Sequence, residues 1–360
     1  MQKRLVGAVF GAQTFVSLHT ARERSAVHSE EKNSMVPDDF TGIEGICVGQ
    51  ATNAQYHTGC TVVLAEHGAV AGVDVRGGAP GTHGTDALRP ENLIDRLHAV
   101  VLAGGSAFGL ASVQGVMRYL RERNCGFKTA YGVVPVVSGA VVFDLGLNQS
   151  EALPDANMGY QACENSSTAE AEQGCIGAGA GATVGKLFGL ARAMKGGQGF
   201  AAMASPGGLR IWALAVVNAF GDVRDPESGE LLAGVRTEDG RELANAAANL
   251  LKLETLRGFS GTNTVLGVVA TNAKLSKAEL TRVAQMAQNG VARAVVPAHT
   301  LYDGDTVYAL SSGAYAGVEV TVVGALAAQV MGQAIVNGVL HAEGLAGLPA
   351  HRDLFGDETA

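Results

Sequence analysis

Residues 264–271, TVLGVVAT, form a nearly continuous apolar run, and they are entered directly from a long, mostly polar stretch, SGELLAGVRTEDGRELANAAANLLKLETLRGFSGTN at 228–263. An apolar run this short, with no alternation of polar residues, reads as a strand buried on both faces. A strand of that kind needs cover on both sides, and the composition supplies it. Hydrophobic residues make up 47% of the chain and charged residues only 17%, against a usual charged share of about 25%. That balance excludes a disordered chain. The length of 360 residues allows one large or two ordinary domains. The 49 glycines follow no collagen period and imply tight turns and close backbone packing.

The elements around the run are mixed in order. CTVVLAE (60–66) and GAVAGVDV (68–75) predict a hairpin about His67–Gly68, and 76–92 reads as a loop. LHAVVLAGG (97–105) is a short buried strand, and Ser106 is placed to cap a helix through 124 whose apolar positions are Leu110, Val113, Met117 and Leu120, with Gly126 closing it. YGVVPVVSGAVVFDL (131–145) is strand-like, 173–187 is a glycine-rich turn, and RIWALAVVNAFGDV (210–223) contains a strand ending at Asn218. The stretch 228–263 reads as an exposed connection. Ser276 and Glu279 make a capping box for a helix burying Leu280, Val283, Ala284, Ala287 and Val291. A strand at 305–313 and an Ala-rich helix at 318–342 follow. This order favours a layered α+β architecture over a βαβ array.

Charge and cysteine usage exclude several functions. Lys and Arg number 26 against 34 Asp and Glu, a net charge of −8 with no basic run, which is unsuited to nucleic acid or an anionic membrane. No run of 18 apolar residues free of charge is present, so no transmembrane helix is expected. The five cysteines, Cys47, Cys60, Cys125, Cys163 and Cys175, are odd in number and form no C-x-x-C pair. They point away from a disulfide framework or zinc ribbon and toward a reducing, cytoplasmic setting. The nine histidines form no H-x-x-x-H pair, and neither a metal nor a cofactor is expected. Residues 1–40 read as a disordered N-terminal extension; Lys3 and Arg4 before LVGAVFGAQTFVSL imitate a signal peptide, but no small-residue cleavage site follows.

Several short motifs fail when weighed singly. GAGAGATVGK (177–186) has Ala180 where the Walker pattern needs Gly and Leu187 where it needs Ser or Thr, so it reads as a packing turn that leaves Lys186 as a candidate functional amine. Gly104-Gly105-Ser106-Ala107-Phe108 misses the hydrolase elbow at Phe108. Asp303-Gly304-Asp305, after His299 and Thr300, lacks the remaining ligands of a calcium loop and reads as a solvated turn, or as two carboxylates able to orient a nucleophile. Thr262-Asn263-Thr264 alone is a turn meeting a strand.

Together, HTGCTVVLAEHGAVAGVDVRGGAPGT (57–82), AVVLAGGSAFGLASVQGVMRYL (99–120), GAGATVGKLFG (179–189), ALAVVNAFGDV (213–223), NTVLGVVATNAKLSKAEL (263–280) and HTLYDGDTVYAL (299–310) closely resemble the DmpA-type N-terminal-nucleophile hydrolases. That family contains L-aminopeptidase/D-esterases, β-peptidyl aminopeptidases, a pantetheine hydrolase and nylon-oligomer hydrolases. The resemblance covers roughly residues 40–342. It implies a four-layer αββα sandwich that cuts itself at Asn263–Thr264 into a large (α) subunit, 41–263, and a small (β) subunit, 264–360, the two forming one catalytic domain assembled as a homo-oligomer. It further implies Thr264 as nucleophile, Lys186 in proton handling or charge stabilisation, the Asn218 side-chain amide at the oxyanion, and Asp303 and Asp305 as the polar pair that orients the nucleophile. The substrate would be a small peptide, an amino-acid amide or ester, or an ω-amino-acid oligomer. Phe143 stands where several members have an oxyanion tyrosine, and Thr264 where the best-known aminopeptidases have serine. Narrow aminopeptidase or esterase activity is the alternative, and a non-catalytic ligand-binding protein on the same scaffold is a more distant one.

Overall fold

A computed structural model describes residues 42–148, 152–253 and 262–356; the expected N-terminal extension and the end of the polar connection, 254–261, lie outside the described residues. Strands β1 (Cys47–Asn53), β2 (Thr58–Val75), β3 (Leu97–Ala103), β4 (Val137–Val141), β5 (Gln198–Ala204), β6 (Arg210–Asn218), β7 (Thr264–Ala273) and β8 (Thr306–Tyr315) carry the fold. Their hydrogen-bonded order is β5-β6-β7-β8-β2-β3-β4, with β1 also on β2. The β7/β8 and β3/β4 pairs are parallel and the others antiparallel.

The expected hairpin at His67–Gly68 is instead one 18-residue strand, β2. Gly68 sits at φ +77°, and the register against β3 shifts between Leu64 and Ala69. A left-handed glycine therefore makes a bulge where a reversal was expected. The bulge lets the first half of β2 pair with β1 and β3, and the second half with β8. One strand thus serves two sheet regions, and both of its halves are apolar for that reason.

The apolar side chains sort by strand alternation. On β7, Val265 and Val269 join a cluster with Ile211, Ala213, Ala215, Val217, Val307 and Ala309 of the neighbouring strands. That cluster is closed by Leu280, Val283, Ala287 and Val291 of helix Lys277–Ala294 and by Val330, Ala334 and Val339 of helix Val320–Leu340. The intervening Leu266, Val268 and Ala270 pack with Trp212, Leu214, Val216 and Tyr308, and with Val63, Val100 and Leu102 from β2 and β3. The opposite sides of β2 and β3, through Cys60, Val62, Ala99 and Val101, meet Val113, Val116 and Leu120 of helix Ser112–Glu122. The run TVLGVVAT is continuous because both faces of β7 are interior; each such aliphatic side chain contributes about 1.5–3 kcal/mol by leaving water.

The capping box is formed: the Ser276 hydroxyl accepts from the Glu279 amide, and the Glu279 carboxylate accepts from the Ser276 amide. Ser106 does not cap a helix. It lies at φ +53° and begins a 3-10 turn, Ser106–Ala111, with no side-chain capping bond, and the α-helix starts at Ser112. That helix ends at Glu122, with Asn124 in the left-handed region two residues before Gly126. The strand-like 131–145 is split around Pro135 into Gly132–Val134 and β4, since proline cannot donate to a ladder. The connection 228–263 is less exposed than expected. Leu232, Ala233, Val235 and Ala246 are buried, because the buried Asp222 carboxylate accepts from the amides of Val235 (2.8 Å) and Ala246 (2.5 Å) and folds the segment inward. The helix Val320–Leu340 is, by length and composition, apolar enough to cross a membrane; its buried face packs on the core of β6 and β7.

Candidate active site

Antiparallel register sets Asn218, the last residue of β6, directly opposite Thr264, the first residue of β7. The parallel partner β8 is preceded by the D-G-D turn, and a bridge pairs Asn263 with Asp303. Lys186 arrives from the glycine-rich turn, its amide donating to the Phe220 carbonyl at 3.0 Å. The six residues singled out by sequence, Lys186, Asn218, Asn263, Thr264, Asp303 and Asp305, are thereby gathered at one end of β6–β8, and all are buried.

The Thr264 hydroxyl donates to the carbonyl oxygen of Asn263 in a short hydrogen bond. The same oxygen accepts from the Gly304 amide at 2.8 Å. The Lys186 ammonium lies 2.8 Å from Asn218 Oδ1, 3.0 Å from the Asn218 carbonyl and 3.4 Å from the Thr262 carbonyl. Asn218 Nδ2 donates to the carbonyls of Phe143 and Thr262, at 3.2 Å each. Asn218 Oδ1 also accepts from the Thr183 amide at 3.0 Å. Lys186 and Asn218 thus grip the Thr262 carbonyl, one residue before the Asn263–Thr264 bond.

The two carboxylates act on backbone. Asp305 accepts from the amide of Val265 (2.7 Å) through Oδ1, and from the His299 amide (3.0 Å) and ring Nδ1 (2.8 Å) through Oδ2. Asp303 accepts from the Phe220 amide at 3.2 Å, and from the amide (3.0 Å) and hydroxyl (2.5 Å) of Thr300. The D-G-D segment is therefore not a solvated turn. Among the described residues the Thr264 hydroxyl bonds Asn263 and not a carboxylate.

Burial dominates the electrostatics. It pulls the Lys186 amine down to about 7, against the opposing pull of the Asp303 charge. It pushes Asp303 up to about 6, helped by the Asp305 charge beside it. An amine and a carboxyl are thus both shifted toward the neutral pH range, where each can gain or lose a proton. A cavity of about 220 Å³ opens beside them, lined by Phe143, Leu147, Thr183, Lys186, Leu190 and Thr262. Phe143 meets Asn218 through its backbone carbonyl, and its side chain has no hydroxyl to offer.

Sequence reasoning missed three participants. His299 and Thr300 hold the two carboxylates, and the only hint was their position just before the D-G-D turn. The Gly304 amide on Asn263 has no side-chain signal at all. The glycine-rich turn is not open to a phosphate, since the amides of Gly177 (2.7 Å) and Ala178 (3.1 Å) donate to the hydroxyls of Thr52 and Thr61. The buried Lys195, unremarked in the sequence, holds that turn through the carbonyls of Ala180 (3.0 Å) and Ala182 (2.7 Å).

An uncharacterized aminopeptidase of Mycobacterium tuberculosis is 41% identical over 345 residues, spanning 88% of this chain and 98% of the relative. A 6-aminohexanoate-oligomer endohydrolase of Kocuria sp. is 33% identical over 327 residues, spanning 84% and 88%. In fold, the chain is similar to the L-aminopeptidase D-Ala-esterase/amidase of Ochrobactrum anthropi, described as a variant of the Ntn hydrolase fold, with a TM-score of 0.63 at 20% identity over 86% of this chain and 87% of that one. It is also similar to a Burkholderia sp. β-aminopeptidase, with a TM-score of 0.59 at 21% identity over 86% and 88%. The model of peptidase family S58 matches residues 38–352. The chain is therefore a hydrolase belonging to peptidase family S58, the DmpA family.

Proposed function

We propose that the protein is a self-processing amidohydrolase in which Thr264 first cuts the Asn263–Thr264 bond and then, as the new N-terminal residue, attacks small amide substrates. The observation that carries this reading is the Thr264 hydroxyl held against the Asn263 carbonyl oxygen, itself bonded to the Gly304 amide. In self-cleavage, Thr264 Oγ bonds to the Asn263 carbonyl carbon, the Asn263–Thr264 C–N bond breaks, and the hydroxyl proton ends on the Thr264 nitrogen. Water then hydrolyses the ester, giving Asn263 a carboxylate and Thr264 back its hydroxyl. The freed α-amine has an ordinary pKa of about 7.7–8.0 and serves as base for the adjacent hydroxyl.

In turnover, Thr264 forms an acyl-enzyme, Lys186 stabilises charge and handles protons, and the Asn218 amide donates to the oxyanion. Asp305 fixes the start of β7 through the Val265 amide, and Asp303 fixes the Phe220 backbone beside Lys186. We assign the three apolar clusters to the interfaces of a four-layer αββα sandwich, which would keep β7 in the sheet after cutting. The substrates are small peptides, amino-acid amides or ω-amino-acid oligomers, and the working form is a cytoplasmic homo-oligomer of cut protomers. The aminopeptidase relative favours a second reading, release of N-terminal residues from peptides, amides or esters. Intact mass of the purified protein tests the first step: fragments of 263 and 97 residues, about 27 and 10 kDa by share of 36.8 kDa, are expected. An active enzyme that stays a single chain removes the mechanism. Turnover of an amino-acid p-nitroanilide against a linear ω-amino-acid oligomer separates the two substrate readings.

A further inference from the structure

We propose that the two reactions of Thr264 use different oxyanion donors: the Gly304 backbone amide serves self-cleavage, and Asn218 with Lys186 serves only turnover of external substrates. This rests on the self-cleavage reading above and deepens it.

Hydrogen-bond bookkeeping in the uncut chain leads there. Asn218 Nδ2 has two protons, and both are engaged, on Phe143 and Thr262. Lys186 Nζ has three, and its acceptors are Asn218 O, Asn218 Oδ1 and the Thr262 carbonyl. Neither group has a proton directed at Asn263. The Asn263 oxygen, on which negative charge develops, has two donors: the Thr264 hydroxyl and the Gly304 amide, the latter at 2.8 Å. As Thr264 Oγ attacks, its proton passes toward the departing nitrogen, and that donor is lost. The Gly304 N–H remains.

It is also held in place. The Asp303 carbonyl accepts from the Ala79 amide at 2.8 Å, and the Gly304 carbonyl accepts from the Thr306 hydroxyl at 3.0 Å. The carboxylates on either side are anchored by Thr300 and His299. A donor fixed beforehand costs no reorganisation when charge appears, which is the property an oxyanion donor requires. Once the segment ending at Asn263 withdraws, the Thr262 carbonyl no longer occupies Asn218 and Lys186. Their protons then become available to the carbonyl of a substrate entering the adjoining cavity.

The test uses the full-length chain made by cell-free translation with glycolate in place of Gly304, which turns the Asp303–Gly304 amide into an ester and deletes the N–H without adding an atom. Cutting, followed by intact mass, is expected to slow by about 10²–10³-fold, the usual effect of losing one oxyanion donor. In parallel, Asn218→Ala is expected to cut within tenfold of the wild-type rate, while the cut variant loses at least 100-fold in kcat on an amino-acid p-nitroanilide. Wild-type cutting by the ester variant overturns the proposal, as does an Asn218→Ala chain whose cutting falls as far as its turnover. Should the ester variant not fold, the Asn218→Ala arm still decides. A wild-type chain that hydrolyses amides without cutting removes the underlying self-cleavage reading, and the proposal with it.

Discussion

Replacing Gly304 by alanine tests how tightly Thr264, the proposed nucleophile, is held. A Cβ at this position would lie 2.7 Å from the Thr264 hydroxyl oxygen and 2.9 Å from the Ala79 carbonyl oxygen. Ordinary contact begins near 3.4 Å, so one methyl group demands a retreat of about 0.7 Å from the Thr264 hydroxyl, with the backbone on the other side unable to yield. The position does not have a left-handed φ, so the substitution acts by crowding rather than backbone strain. Overpacking a buried site costs about 1–3 kcal/mol, which a large domain survives. Catalysis is more sensitive, because misplacing a reacting group by about 1 Å can cost 10²-fold. Gly304→Ala is therefore expected to fold, and to cut itself roughly 10- to 100-fold more slowly than wild type. The assay is a time course of precursor against fragments on a denaturing gel, with circular dichroism to confirm folding. Wild-type cutting by a folded Gly304→Ala protein would refute the idea that Thr264 is wedged between Asn263 and Gly304.

The other predictions concern the nucleophile, the carboxylates and pH. Thr264→Ala is expected to abolish cutting and turnover, whereas Thr264→Ser keeps the hydroxyl and retains some of each; N-terminal sequencing of the small fragment should read Thr-Val-Leu-Gly in wild type. Asp303→Asn and Asp305→Asn are each expected to lower turnover at least 100-fold, within the range of about 10²–10⁴ for orienting and acid–base groups, with near-normal steady-state kinetics in both variants as the contrary result. Turnover is expected to rise with pH as Asp303 ionises near 6 and again as the Thr264 α-amine loses its proton at about 7.7–8.0; a pH–rate profile in which Asp303→Asn leaves the lower limb unmoved would assign that limb elsewhere. Stability of the uncut chain is expected to follow Asp303 and Lys186 with opposite slopes. Asp303, raised in the fold, binds more protons folded than unfolded, so its stabilising contribution is lost as pH rises from 3.8 to about 6. Lys186, lowered in the fold, binds more protons unfolded, so stability rises from about 7 toward 10.5. Urea titrations of the uncut Thr264→Ala chain at a series of pH values read both.

The strand β7 was legible because burial on both faces leaves a continuous apolar signature, and the helix after it because Ser276 and Glu279 cap it through local bonds alone. The bulge in β2 was not, since His67–Gly68 between two apolar runs is the same signal whether the chain reverses or continues; pairing with β8 decides. The packing of 228–250 was hidden because its organiser, the Asp222 carboxylate, looks like a surface residue until two backbone amides are found on it. The site itself is spread from Lys186 to Asp305, and no local pattern joins these positions. Register does so, through Asn218 opposite Thr264 and Asn263 bridged to Asp303. Family resemblance pointed to those side chains, but it could not point to Gly304, whose contribution is an amide every residue except proline possesses.

The arrangement also explains why cutting and activation belong together under the proposed mechanism. The Thr262 carbonyl occupies the donors of both Lys186 and Asn218, and Thr262 lines the cavity beside them. While the chain is whole, the groups assigned to an external substrate are thus engaged by the chain's own backbone, and Thr264 has no free α-amine to act as base. A single bond cleavage changes both conditions: it creates the amine and releases the segment that ends at Asn263. Nothing comparable is asked of β7, whose remaining residues stay hydrogen-bonded to β6 and β8 from Val265 onward. The free energy holding Thr264 in place therefore resides in the sheet and its two apolar faces.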